Sequence, residues 1–266
     1  MIRAFRSHLL ITMSVSHPVA ARLLDIFAAG DMFVRMRYQG EAHVVPVALR
    51  GDVALDDLLG IETQKAAFIA NIERFLSGVP YQHTLLWGAR GTGKSSLVRA
   101  ALRFFRPRGL KCLQVACDDL PDLPFLLWTL AQAPSPFMVF IDDLSFGADD
   151  GSYRALKAVL DGALGGVAAN VLICLTSNRR HLLAEFHRDD RALHPQEDVE
   201  EQVSLAERFG LRLAFHPLDQ AQFLATVAHW LGRDLSPDER QRALQFALAQ
   251  GSRSARVAAQ CAQALS

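Results

Sequence analysis

Residues Gly88-Ala89-Arg90-Gly91-Thr92-Gly93-Lys94-Ser95 fit the pattern G-x-x-x-x-G-K-[ST] at every fixed position. A string of this kind can hold a phosphate chain. Its glycines let the backbone wrap closely round the anion, so that successive N–H groups point inward. A helix that starts at its end adds partial positive charge. Lys94 is placed to reach β- and γ-phosphates, the Ser95 hydroxyl to ligate Mg²⁺, and Ser96 begins the following helix. The surroundings agree. His83 to Trp87 is an apolar run that reads as a buried strand, and Ser96 to Phe105 an amphipathic stretch that reads as a helix. A chance glycine-rich turn would not be expected between these two neighbours.

A second group of residues completes the chemistry. Phe137-Met138-Val139-Phe140-Ile141 runs into Asp142-Asp143, a buried strand ending in two carboxylates. Ligands of open parallel sheets bind at that end of the strands. Asp142 is therefore expected to hold Mg²⁺ beside Ser95, and Asp143 to position or deprotonate an attacking water. The plainer reading is a strand edge turning into a loop. Asn178 follows another apolar run, Val171 to Leu175. A strand-end amide there can hydrogen-bond a γ-phosphate or the water that attacks it, where the plainer reading is a turn cap. Arg208 precedes the run Leu211 to Phe215. A guanidinium at a subunit edge can stabilise charge on a neighbour's γ-phosphate, yet spacing alone favours a surface residue paired with Glu207 or Glu201. Arg253 opens the last helix, where an arginine could clamp phosphates, and Arg256 one turn on is an equal candidate.

The elements that must position these groups can be read in order. A helical pattern over 17–30 leads to short β-rich stretches at 33–38 and 43–49, which could form a hairpin. A helix over 63–77 precedes the first core strand and the phosphate loop. Strands then alternate with helices: a strand at 110–116, a helix near 125–132, the carboxylate strand, a helix over 152–164 closed by Gly165-Gly166, the strand before Asn178, and a helix near 197–208 before the fifth strand. After Pro217 the pattern is helical only, at 219–231, 237–249 and 253–265, and Ser236-Pro237-Asp238-Glu239 reads as a capping box. Alternation followed by helices alone describes an α/β domain with a helical lid. The expected division is an N-terminal extension over 1–54, a nucleotide-binding domain over 55–217 and a lid over 218–266.

Composition narrows the class. The 266 residues are half hydrophobic, and 28 Lys and Arg balance 28 Asp and Glu, which gives no general basic bias toward nucleic acid. The four cysteines, at 112, 117, 174 and 261, contain no C-x-x-C and read as small buried hydrophobes in a reducing compartment. Residues 1–16 carry Arg3, Arg6 and a short interrupted apolar run, and read as a mobile tail of a cytoplasmic protein rather than a signal peptide. No run approaches the ~20 apolar residues of a membrane span. His181, His187 and His194 fit no metal spacing; 188–191 and 197–201 read as solvated charged faces, and Trp87 as core.

Taken together, these strings resemble the AAA+ ATPases from about Leu55 to the C-terminus. Residues 88–95 are similar to Walker A, Phe137 to Asp143 to Walker B, and Asn178 to the sensor 1 position. Arg208 in Glu-Arg-Phe-Gly resembles an arginine finger, Arg253 the lid arginine called sensor 2, and Leu58-Leu59-Gly60-Ile61 the segment that packs on adenine. More narrowly, the strings at 86–96, 141–146, 176–182 and 251–254 resemble a bacterial family of stand-alone AAA+ proteins known only as a domain of unknown function. The resemblance implies a P-loop three-layer parallel sheet in the order 5-1-4-3-2, ATP or ADP with Mg²⁺, and nucleotide-dependent self-assembly. It names no client, which could be protein or nucleic acid. Two departures matter. Asp143 stands where most AAA+ proteins have Glu, which points to slow hydrolysis, and 117–124 lacks the aromatic-glycine pair of threading unfoldases. The expected function is a nucleotide-driven switch or remodeller, with a nucleotide-gated scaffold of little hydrolysis as the alternative. A small-molecule kinase is a weaker third reading.

Overall fold

A computed structural model describes residues 17–49, 53–144, 151–162, 167–178 and 205–266. The tail over 1–16, Gly165-Gly166, the three loop histidines, both charged runs, most of the expected helix at 197–208, and the family strings at 145–146 and 179–182 lie outside the described residues.

Helix α1 (Pro18–Ala29) begins on a proline, whose missing N–H costs nothing at that position. It leads into β1 (Met32–Tyr38) and β2 (Glu41–Pro46), which pair antiparallel about Gln39-Gly40. The expected hairpin is there, and it is part of the main sheet: β1 pairs in parallel with β4 (Lys111–Val115), Phe33 opposite Leu113. Helix α2 (Glu62–Leu76), β3 (Thr84–Gly88) and α3 (Lys94–Phe105) follow. Next come α4 (Leu123–Leu130), β5 (Phe137–Ile141), α5 (Gly151–Leu160), β6 (Val171–Ser177) and β7 (Leu211–Phe215).

The seven described strands run in the order β2-β1-β4-β5-β6-β3-β7. Counted from β3, the last five are the expected 5-1-4-3-2, and the hairpin extends that sheet at the β4 edge. Strands β5 and β6 are buried along their whole length, as a strand covered on both faces must be. Two apolar clusters cover the two faces. One joins α1, α4 and α5 around Phe27, Phe33 and Phe137; the other joins α2 and α3 around Phe68, Phe105 and Phe140.

Three further helices, α6 (Gln220–Leu231), α7 (Pro237–Ala249) and α8 (Ala255–Leu265), enclose a third cluster round Phe223, Val227 and Ala258. Each is capped by a side chain. Asp219 accepts from Gln222 N, Ser236 from Glu239 N and Ser254 from Val257 N. The Ser236–Glu239 capping box is the one read from the sequence. Among the described residues no helix is long and apolar enough to cross a membrane. The cysteines are free, and burial pushes the Cys112 thiol up to about 12.

One buried group ties the sheet to pH. The His83 Nδ1 accepts the Ile173 N–H at 3.2 Å, just before β3. Burial lowers the imidazole from 6.5 to about 4. The unfolded chain therefore binds a proton between those values that the folded chain refuses, and stability falls as pH drops through that window. Chemical denaturation at pH 7 and pH 4.5 is expected to show a loss that shrinks by about 1–3 kcal/mol in His83→Gln, a range set by the size of such a shift. An unchanged pH slope in the variant would remove His83 as the cause.

Candidate nucleotide-binding cleft

The chain leaves β3 at Gly88, where φ is +140° and a side chain would collide with the Phe215 carbonyl of β7 at 2.0 Å. Only glycine lets the two strand ends approach so closely and turn out of the sheet. The loop then runs through Gly91 and Gly93 into α3, whose first residue is Lys94.

The Lys94 side chain turns back into the loop it closes. Its ammonium donates to Gly88 O at 2.7 Å, Ala89 O at 2.8 Å and Asn178 Oδ1 at 3.0 Å. Loss of solvent lowers its pKa, and the Asp143 and Asp142 carboxylates work in the opposite direction. The Thr92 hydroxyl donates to Ala89 O at 2.8 Å and closes the loop from within.

The carboxyl ends of β5 and β6 bring up the acidic side. Ser95 Oγ donates to Asp142 Oδ1 at 2.6 Å, and Thr176 Oγ1 donates to the same oxygen at 2.6 Å. Asp143 N donates to Thr176 Oγ1 at 2.8 Å. Thr176 thus holds both aspartates from the end of β6. Asn178 Nδ2 donates to Asp143 Oδ1 in a short contact, so Asn178 bridges Asp143 and Lys94. Asp143 itself has φ of +54°, a left-handed backbone that Asp and Asn enter more readily than longer side chains do. That conformation gives a local reason for Asp here. Arg99, one turn after Ser95, reaches Asp142 Oδ2 at 3.4 Å, and Arg90 lies 3.9 Å from Asp143 Oδ2.

The remaining residues divide. Arg90, Gly91, Thr92, Gly93, Lys94, Ser95, Ser96, Asp142, Asp143, Asn178 and Ile61 line one cleft of about 670 Å³. Gly88 and Ala89 act behind it through their carbonyls. Gly60 turns the chain at φ +74°, close against Leu218 of the lid, while its neighbours Leu59 and Ile61 face the cleft. Arg253 is exposed and does not line it; Arg256 does, and its N–H donates to Gly91 O at 3.2 Å. Arg208 does not line it either. It is paired with Asp161, just beyond α5, and not with Glu207 or a distant phosphate site of its own chain. Trp87 is half-buried against the core.

The donor set suits a nucleoside triphosphate with Mg²⁺. A cation lies among loop carbonyls at a helix N-terminus, and a hydroxyl and a carboxylate 2.6 Å apart present oxygens suited to a hard metal ion. Residues 30–266 match the family described as "Protein of unknown function (DUF815)". The chain belongs to that family. The DUF815 chain is also 27% identical over 192 residues, 62% of its length, to the 26S proteasome regulatory subunit 6B homolog of Encephalitozoon cuniculi. It spans about half of that relative, 48%. Its fold is similar to the ORC1 protein of Aeropyrum pernix, solved in complex with DNA, with a TM-score of 0.54 and 17% identity over 81% of this chain and 60% of that one. The Thermotoga maritima RuvB Holliday junction branch migration motor follows at a TM-score of 0.47 and 15% identity, over 82% and 73% of the two chains. With these relatives the DUF815 chain is an AAA+ superfamily member.

Sequence reading passed over Thr176, Arg99, Asp57 and Trp230. Thr176 stood in the quoted strand-end string, and its alternation with Asn178 across one residue was the available signal. Thr176→Val in the DUF815 protein leaves Asp143 N–H and one Asp142 oxygen without partners. Urea unfolding should show a loss of about 1–3 kcal/mol, and Mg-nucleotide affinity measured by calorimetry should fall with it. Unchanged values for both would show that the bridging hydroxyl does not hold the pair.

Proposed function

We propose that the protein is a cytoplasmic, Mg²⁺-dependent ATP-binding switch that hydrolyses ATP slowly and self-assembles through its nucleotide site. The observation that carries this reading is the hydrogen-bonded chain from Lys94 through Asn178 to Asp143, beside the Ser95–Asp142 contact. A bound γ-phosphate would take over the acceptors that Lys94 now finds in Gly88, Ala89 and Asn178. Asn178 would then be freed or re-aimed, and Asp143 with it. Mg²⁺ held by Ser95 and Asp142 would neutralise phosphate charge. Asp143 is the group placed to orient or deprotonate the attacking water, and Arg256 the lid cation that replaces Arg253 in this role.

Arg208 would act on the next subunit. Its absence from the lining of its own cleft is what a residue working in trans requires. Residues 1–54, 55–217 and 218–266 would serve as extension, nucleotide domain and lid, and the lid's separate apolar cluster favours its moving as one unit. Free buried thiols suit a reducing compartment.

The client is taken to be a macromolecule, protein or nucleic acid. The matched subunit homolog belongs to a proteasome and the ORC1 structure holds DNA, so both classes stand among the relatives. Threading is disfavoured by a specific feature. Arg37 Nε donates to Asp119 at 2.7 Å, and Arg35 pairs with Asp122, so β1 pins the turn after β4 that would have to move. The scaffold reading keeps one support, the short Asp143 side chain engaged by Asn178.

Three variants test these roles in an ATPase assay over a range of protein concentrations. Lys94→Ala should abolish nucleotide binding. Asp143→Asn should bind ATP and fail to cleave it in a single turnover. Arg208→Ala should lose about a hundredfold or more in turnover and the rise of specific activity with concentration. Wild-type turnover in Arg208→Ala would end the trans role, and absence of cleavage by wild type would favour the scaffold.

A further inference from the structure

The phosphate chemistry leaves the other end of the cleft unexplained. Away from Lys94 the lining is apolar, with Leu58, Leu59 and Ile61 on one wall and Thr226 and Trp230 of α6 on the other. Trp230 is the one aromatic among the described lining residues, and 40% of its surface is open. An open indole on a cleft wall offers a flat polarizable face, and such faces hold bases by stacking.

Its position is set from across the cleft. The neighbouring His229 ring stands edge-on to the indole, with centroids 5.6 Å apart and an interplanar angle of 76°. His229 Nε2 lies 3.0 Å from Asp57 Oδ1. Asp57 belongs to the short 3-10 turn Leu55–Asp57 ahead of α2, and itself lines the cleft. Its second oxygen accepts Ala54 N–H at 2.7 Å, which fixes the carboxylate on its own turn. One contact thus joins the strand domain to the lid, and the residue that makes it on the lid side is next to Trp230. Rotation of α6 that carried Trp230 off the cleft would break it.

We infer that Trp230 is the lid's stacking surface for the base of the bound nucleotide, and that Asp57 and His229 are the positioning pair that keeps it there. The inference rests on the phosphate-binding reading above and adds a base contact to it. Every base has a π face, so this contact adds affinity without choosing between purines.

The test compares ATP, GTP and inorganic tripolyphosphate, each with Mg²⁺, on the full chain by titration calorimetry. Trp230→Leu is expected to weaken both nucleotides by about 5- to 100-fold, the range of base–aromatic stacking, and to leave tripolyphosphate unchanged. Trp230→Phe should retain most of the affinity, which separates a stacking role from a folding defect. Asp57→Asn and His229→Ala should give smaller losses confined to the two nucleotides. Equal weakening of all three ligands in Trp230→Leu, or wild-type nucleotide affinity in it, would overturn the inference. A wild-type chain that binds neither ATP nor tripolyphosphate would instead sink the phosphate-site reading, and the base contact with it.

Discussion

The cleft depends on how the Lys94 ammonium is kept charged while partly withdrawn from water. It has three neutral oxygens, from Gly88, Ala89 and Asn178, and no carboxylate in direct contact. Desolvation works against the charge, and Asp143 and Asp142 support it from further off. A cation satisfied by neutral acceptors is prepared to exchange them for an anion, because the incoming charge replaces weaker partners. Had Lys94 been locked to a carboxylate, a phosphate would first have to break an ion pair.

The sheet exists, for this purpose, to bring three strand ends to that ammonium. β3 ends in the loop, β5 in Asp142 and Asp143, and β6 in Thr176 and Asn178. Since β6 lies between β3 and β5, its hydroxyl and amide can touch both sides. Thr176 holds the aspartates and Asn178 joins them to Lys94. The close approach of Gly88 to Phe215 fixes the loop's origin against β7. The order of the strands is thus a requirement of the site, since exchanging β6 and β5 would leave Asn178 out of reach of Lys94.

Much of this was legible in the chain. The glycine pattern, the two aspartates after five apolar residues and the Asn after another apolar run each carry local signals, and the structure brings all three together in the cleft. What escaped was decided by geometry at longer range. Arg253 and Arg256 look alike in sequence, but Ser254 caps α8, so Arg253 lies before the helix and Arg256 in its first turn, against Gly91. The hairpin was readable as a hairpin, yet its union with β4 depends on a pairing between residues some eighty positions apart, such as Phe33 and Leu113, and no local pattern encodes that. Asp57 and His229 are 172 residues apart and carry no motif.

The distribution of tight and loose contacts also limits where movement can occur. β1 adds Arg35 and Arg37 to the turn over 117–122, and Asp119 there is nearly fully buried, so opening that turn would strand charge in the interior. The lid, by contrast, meets the strand domain through few polar contacts, among them Arg256 N–H on Gly91 O and the His229–Asp57 pair. Both lie on the cleft wall. Contacts that share the wall with the ligand are those a ligand can strengthen or replace, so a change in nucleotide state has a direct route to the angle of the lid. The turn pinned by β1 has no such route. Any work the protein does on a partner would therefore pass through the lid and the edge that carries Arg208, not through the turn after β4.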